Sequence, residues 1–165
     1  MRILGVDPGL ARAGYGMVKK EGNSFSVIEF DVIETSSELT DVERLSILNR
    51  KLGEIISEHN PDQMAVEELF FNKNVKTAIR VGQARGVIML AGARADLSVF
   101  EYTPLQVKQA VVGYGRASKD QVQQMVKALL NLEDIPASDD AADALAVCIC
   151  HGHNRAVQNK WGEKI

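Results

Sequence analysis

The apolar pattern of this 165-residue chain changes period once, near residue 40, and that change constrains the fold more than any other feature. Before it, the pattern is strand-like. Met1 to Asp7 and Gly14 to Lys20 are short apolar runs, Lys20-Glu21-Gly22-Asn23 is a turn, and Ser24 to Thr35 carries Phe25, Val27 and Ile33 among polar residues. Connections this short join antiparallel neighbours, because a parallel pair needs a longer crossover. After it, Val42, Leu45, Leu48, Leu52, Ile55 and Ile56 recur at three- and four-residue steps, which predicts a helix from Val42 to His59. Thr40 or Asp41 is its cap, and Asn60-Pro61 stops it.

Gln63 to Glu68 reads as the next strand, parallel to an earlier one because a helix separates them. Asn74 to Asp96 reads as a long helix rich in small residues, Gly82, Ala84, Gly86, Ala91, Gly92 and Ala93. The glycines among them weaken helix propensity, but small residues let another backbone approach, either the core or a second copy of the chain. A strand from Ser98 to Tyr102, a short helix from Leu105 to Val112, a helix from Ser118 to Leu132 and a last helix from Ser138 complete the chain. Ser118 with Gln121 three residues on forms a capping-box pattern. The fold class is therefore α/β, a five-stranded mixed sheet flanked by helices, and this order matches the ribonuclease H-like architecture. Residues 1–155 read as a single domain, and 156–165 as a polar, loosely ordered tail.

With 45% apolar and 25% charged residues, the composition is that of an ordinary globular domain. Apolar runs such as Val87 to Ala93 are far too short to span a membrane. The N-terminus carries no signal-peptide pattern, so a cytoplasmic location is expected. A net charge of -3 argues against passive, charge-driven binding of nucleic acid. It leaves room for an enzyme that gathers carboxylates in one place.

Three segments offer such carboxylates. Asp7 stands at the end of the first strand, before Pro8-Gly9, and Glu67-Glu68 ends the fourth in the same way. In open α/β sheets, ligands bind beyond the carboxyl ends of strands, and a right-handed crossover can set these two strands side by side. Ser138-Asp139-Asp140-Ala141-Ala142-Asp143 supplies the third group, with Asp143 on one helix face with Asp139 and Asp140. Acidic residues in a first helical turn also simply complement the helix dipole, which accounts for Asp139 or Asp140 and less well for Asp143. Periodicity does not choose between Glu67, which shares a strand face with Ala65, and Glu68, which shares one with Met64 and Val66. An oxygen-only ligand set suits Mg²⁺ or Mn²⁺, and two such ions can drive an in-line phosphoryl displacement. Phosphodiester hydrolysis is the chemistry that fits. No phosphate-binding Gly-Lys-Ser/Thr loop, Gly-x-Ser-x-Gly elbow or His-Glu-x-x-His motif supports a rival.

Val6-Asp7-Pro8-Gly9, Gly14-Tyr15-Gly16, Ala65-Val66-Glu67, Gly82-Gln83-Ala84-Arg85-Gly86, Gln106-Val107-Lys108-Gln109 through Gly113, and Asp140 through Ala146 occur in an order that resembles the RuvC family of bacterial Holliday-junction resolvases. The resemblance implies a homodimeric, Mg²⁺-dependent endonuclease making paired nicks in four-way junction DNA, in recombination and repair, alongside the RuvA–RuvB branch-migration complex. It implies two Mg²⁺ ions per site, with Mn²⁺ able to substitute, and an acidic quartet on Asp7, Glu67, Asp140 and Asp143. The choice of Glu67 over Glu68 rests on it. The alternatives are a ribonuclease H-like nuclease acting on another substrate and a non-catalytic junction-binding module.

For DNA binding, Phe70 and Phe71 lie beside Lys73 and Lys76 just after the acidic strand, where an aromatic can stack on an unpaired base. The resemblance assigns that role to Phe70. It also matches Lys108 and Lys119 to basic positions near the scissile phosphate. Arg80, Arg85 and Arg116 are weaker candidates for backbone contacts. Cys148-Ile149-Cys150-His151-Gly152-His153 resembles a metal cluster only in composition, since Cys148 and Cys150, two apart on a helix, do not share a face. A cysteine-containing core helix is the expectation there.

Overall fold

A computed structural model describes the backbone of residues 1–68 and 75–161, and the side chains of residues 1–68 and 77–154. Three antiparallel strands come first: β1 (Arg2–Asp7), β2 (Arg12–Glu21) and β3 (Ser24–Glu34). Helix and strand then alternate through α1 (Asp41–His59), β4 (Gln63–Glu67), α2 (Val75–Arg94) and β5 (Ser98–Tyr102), and α3 (Pro104–Val112), α4 (Lys119–Leu129) and α5 (Asp139–Trp161) close the chain. The sheet runs β3-β2-β1-β4-β5. β1 pairs antiparallel with β2 and parallel with β4, and β4 pairs parallel with β5. The α/β, ribonuclease H-like mixed sheet expected from the sequence is the observed fold.

Strand alternation divides the core between the two faces of the sheet. Leu4, Val6, Met17, Met64 and Val66 pack with Leu48, Leu52 and Ile56 of α1 and with Ala84, Ile88 and Ala91 of α2. Ile3, Val18 and Ala65 pack on the other face with Leu145, Cys148 and Ile149 of α5, and with Val107 and Val126 of α3 and α4. Each fully buried Leu or Ile contributes about 1.5–3 kcal/mol of transfer free energy. Of the small residues in α2, Gly92 brings the helix onto the sheet: a Cβ there would lie 2.6 Å from Met64 Sδ. Gly86 faces open space.

Helix ends follow capping chemistry. Thr40 caps α1 in a reciprocal box with Glu43, and Asn60 closes it in the left-handed region at φ 46°. Thr103 with Gln106 and Ser118 with Gln121 cap α3 and α4 in the same way. α4 stops at Leu129, short of the expected Leu132. Asn131 turns left-handed at φ 50°, and the Leu132 N–H then reaches back to the Lys127 carbonyl at 3.0 Å, a Schellman closure. α2 ends early by the same device at Asp96. α5 runs to Trp161, with no proline or glycine to interrupt it between Gly152 and Gly162.

Both cysteines are buried and free. Cys148 Sγ faces the carbonyls of Ile3 and Gly16, and Cys150 accepts from Asn154, so the two thiols point to different neighbours. His151 is buried between the Tyr102 hydroxyl and the Gln63 side chain. Among the described residues, no helix is long and apolar enough to cross a membrane.

Candidate active site

The site begins with strand register. β1 and β4 run parallel with Val6 opposite Val66, and the next residue on each strand is the acid, Asp7 and Glu67. Ile3, Gly5 and Asp7 share the face beneath α5, as do Ala65 and Glu67. Glu67 is therefore the residue that stands beside Asp7. Glu68 lies past the strand end, exposed, with its N–H bonded to the Tyr102 carbonyl at 2.8 Å.

The N-terminus of α5 is brought over this pair by Gly14. Gly14 is the cross-strand partner of Asp7, and a Cβ at Gly14 would lie 1.9 Å from the backbone oxygen of Asp140. Only glycine allows β2 to carry the helix start this close. Asp140 thus sits above the β1–β2 edge, and Asp143, one turn on, lies nearer Glu67.

Burial in a poorly solvated place, with like charges close by, shifts Asp7, Glu67 and Asp143. Burial, then the charges of Glu67, Asp143 and Asp140, push the Asp7 carboxyl up to about 8. Burial and the charge of Asp143 push Glu67 up to about 7, against the lowering effect of a hydrogen bond from Asp7 and of the Lys108 and Lys119 charges. Asp143 is raised as well, by burial, with Lys119 opposing. Lys119 Nζ lies 3.4 Å from Asp143 and 3.1 Å from Asp139. Burial acts to lower the Lys119 ammonium, but its bond to Asp139 and the charge of Asp143 outweigh it and raise it. A cavity of about 170 Å³ opens here, lined by Glu67, Pro104, Lys108, Lys119, Val122 and Asp143. A larger groove of about 500 Å³ between α1 and α2, with Arg50, Gly53 and Arg94 in its wall, has no carboxylate in its lining.

The four acids are neighbours without forming a closed shell. Among the described residues, no three Asp, Glu, His or Cys side chains are drawn together as ready-made metal ligands. Mutual repulsion accounts for this: Asp140 turns to Arg12 at 2.8 Å, and Asp143 turns to Lys119.

The other sequence candidates divide. Lys108 and Lys119 line the cavity. Arg80 does not reach it; its guanidinium pairs with Asp41 of α1 at 2.9 Å. Arg85 pairs with Glu101 across the α2–β5 contact. Phe70, Phe71 and Lys73 lie outside the described residues, as does the side chain of Lys76. Asp139, which the sequence leaves open as a simple complement to the helix dipole, binds Lys119 and accepts from Gln123 at 2.7 Å. Arg12 is the site residue that sequence reasoning misses, since nothing in its local pattern distinguishes it from a surface charge.

Comparison with known proteins places this geometry in context. Residues 3–151 match the family model for crossover junction endodeoxyribonuclease RuvC. A RuvC from Halothermothrix orenii is 63% identical over 164 residues, covering 99% of each chain, and one from Alkaliphilus oremlandii is 60% identical over 153 residues, covering 93% of each. Among solved structures, Thermus thermophilus RuvC in complex with Holliday junction substrate is 34% identical, with a TM-score of 0.91 over 95% of this chain and 96% of that one. The chain belongs to the crossover junction endodeoxyribonuclease RuvC family.

Proposed function

We propose that this chain resolves four-way DNA junctions, cutting two strands of like polarity symmetrically by hydrolysis of phosphodiester bonds. Family membership over nearly the whole chain supports the nuclease activity, and the junction-bound Thermus relative supports the substrate. The observation that carries the chemistry is the pairing of Asp7 and Glu67 at adjacent strand ends beneath Asp143, with two of the three titrating near neutrality.

Such a group of oxygen donors fits hard divalent cations, which family membership also implies. Asp7, Glu67, Asp140 and Asp143 are the residues that would hold them, and Mg²⁺ is the proposed ion, two per site, with Mn²⁺ as substitute. When bound, they supply a nucleophilic water and stabilise the leaving oxygen. The chain's own residues do the rest. Asp7, whose carboxyl burial and neighbouring acids hold protonated beside Glu67, would give up that proton where cations are held. Lys119, paired with Asp139 and Asp143, and Lys108, which lines the same cavity, offer positive charge to the phosphate. Phe70 is proposed to stack at the junction centre, with Lys73, Lys76 and Arg80 on the DNA backbone.

Paired cuts require two sites, so the working unit is proposed to be a homodimer. Ile79, Gln83, Gly86 and Leu90 recur at four, three and four residues along one exposed face of α2, with Ile79 57% and Leu90 54% exposed. That face suits a second copy of the chain. The RuvA–RuvB complex and a cytoplasmic setting complete the proposal.

The test is a cleavage assay on a synthetic four-way junction, a linear duplex and an RNA–DNA hybrid, with and without Mg²⁺. Ligatable, symmetric nicks in the junction alone, dependent on Mg²⁺, are expected. Cleavage of the hybrid instead, or junction binding with no cleavage in any divalent ion, would refute the proposal.

A further inference from the structure

We propose that Arg12 is a positioning residue for Asp140, holding that carboxylate in the orientation from which it meets a divalent cation. This rests on the reading of Asp140 as a cation ligand.

Arg12 opens β2, two residues before the glycine that seats α5. Its Nε donates to Asp140 Oδ2 at 2.8 Å, its Nη2 donates to Ser138 Oγ at 3.2 Å, and its Nη1 pairs with Glu34 at the end of β3. Arg12 and Glu34 face each other across the β2–β3 ladder, so the sheet itself presents the pair. Three anchors from two elements fix the planar guanidinium, which a single flexible ammonium would not match. Asp140 Oδ1 makes no hydrogen bond or ion pair among the described residues, so one oxygen is held and the other is free. Ligating carboxylates are commonly held by outer hydrogen bonds of this kind, whose loss weakens metal affinity.

Stability alone does not explain the arrangement. The Arg12 and Glu34 side chains are 48% and 63% exposed, and pairs this exposed are worth little. The place matters more: Arg12 holds Asp140 as Lys119 holds Asp143, so each of these two acids of α5 has its own cation. The rival role is a phosphate contact, because a groove of about 320 Å³ beside Gly9 is lined by Arg12, Arg44 and Arg80.

The experiment titrates Mn²⁺ into the full-length chain by calorimetry, for the wild type, Arg12→Ala, Arg12→Lys and Glu34→Gln. Junction affinity and melting temperature are measured alongside in chelator. Arg12→Ala is expected to bind Mn²⁺ about 10-fold more weakly. Its junction affinity in chelator should stay within about twofold and its melting temperature close to wild type, as for an ordinary surface change. Arg12→Lys restores part of the Mn²⁺ affinity, and Glu34→Gln loses less than Arg12→Ala. Wild-type Mn²⁺ affinity in Arg12→Ala overturns the inference alone, and a loss confined to junction affinity in chelator overturns it in favour of the phosphate contact. If the wild-type protein itself binds no Mn²⁺, the cation-site reading falls and takes this inference with it.

Discussion

Gly14→Ala probes how the two halves of the site are held together. The added Cβ would lie 1.9 Å from the Asp140 oxygen, 2.2 Å from its carbonyl carbon and 2.9 Å from the Ala141 nitrogen. All three are backbone atoms, so no side chain can rotate away. A comfortable contact lies near about 3.5 Å, so the start of α5 must retreat by more than about 1 Å. Overpacking of this kind costs about 1–3 kcal/mol, and the rigid surroundings favour the upper end. At about 2–4 °C per kcal/mol for a domain of this size, the melting temperature should fall by roughly 6–12 °C. The catalytic loss should exceed what instability explains. Asp140 and Asp143 move with the helix while Asp7 and Glu67 stay with the sheet, and a misplacement of about 1 Å can cost ~100-fold in rate. The assay is single-turnover junction cleavage at saturating Mg²⁺, well below the variant's melting midpoint. Wild-type cleavage with a wild-type melting temperature would show that the contact at Gly14 does not set the distance between the acids.

The remaining predictions concern charge, helix propensity and assembly. In chelator, the folded protein holds a proton on Asp7 up to about pH 8, whereas the unfolded chain loses it near 3.8. The folded state binds more protons across that window, so stability falls as pH rises from about 4 to 8. Asp7→Asn should flatten this slope in thermal melts, raise the melting temperature at pH 8 and abolish cleavage. An unchanged slope, or normal nicking, would count against the assignment of Asp7. Gly53→Ala, in the middle of α1 with open space around its Cβ, should stabilise by about 0.5–1 kcal/mol in urea titrations without altering cleavage. Leu90→Glu should convert a dimer to a monomer in analytical ultracentrifugation, and a dimer that survives it would place the contact elsewhere.

Most element identities were legible in the residues because local chemistry sets them. The box at Ser118, the stop at Asn60-Pro61 and the alternation in β3 act over a few residues and appear where the sequence puts them, and of the two caps open for α1 the structure takes Thr40. The ends that differ, at Leu129 and Arg94, turn on a left-handed Asn131 and Asp96, a conformation these residues tolerate but do not require. Asp7 and a glutamate of the 67–68 pair could be singled out from strand ends alone. Which glutamate faces Asp7 could not, since it depends on which side of the sheet α5 covers, and only packing decides that. Arg12 and Asp140 are 128 residues apart, and no periodicity links them. The chain by itself determined its strands, its helices and the acids at their ends, because those follow from short-range sterics, hydrogen bonding and burial. The tertiary structure alone decided how those acids face one another and which cations flank them, because charge interactions depend on distances that only the folded backbone sets.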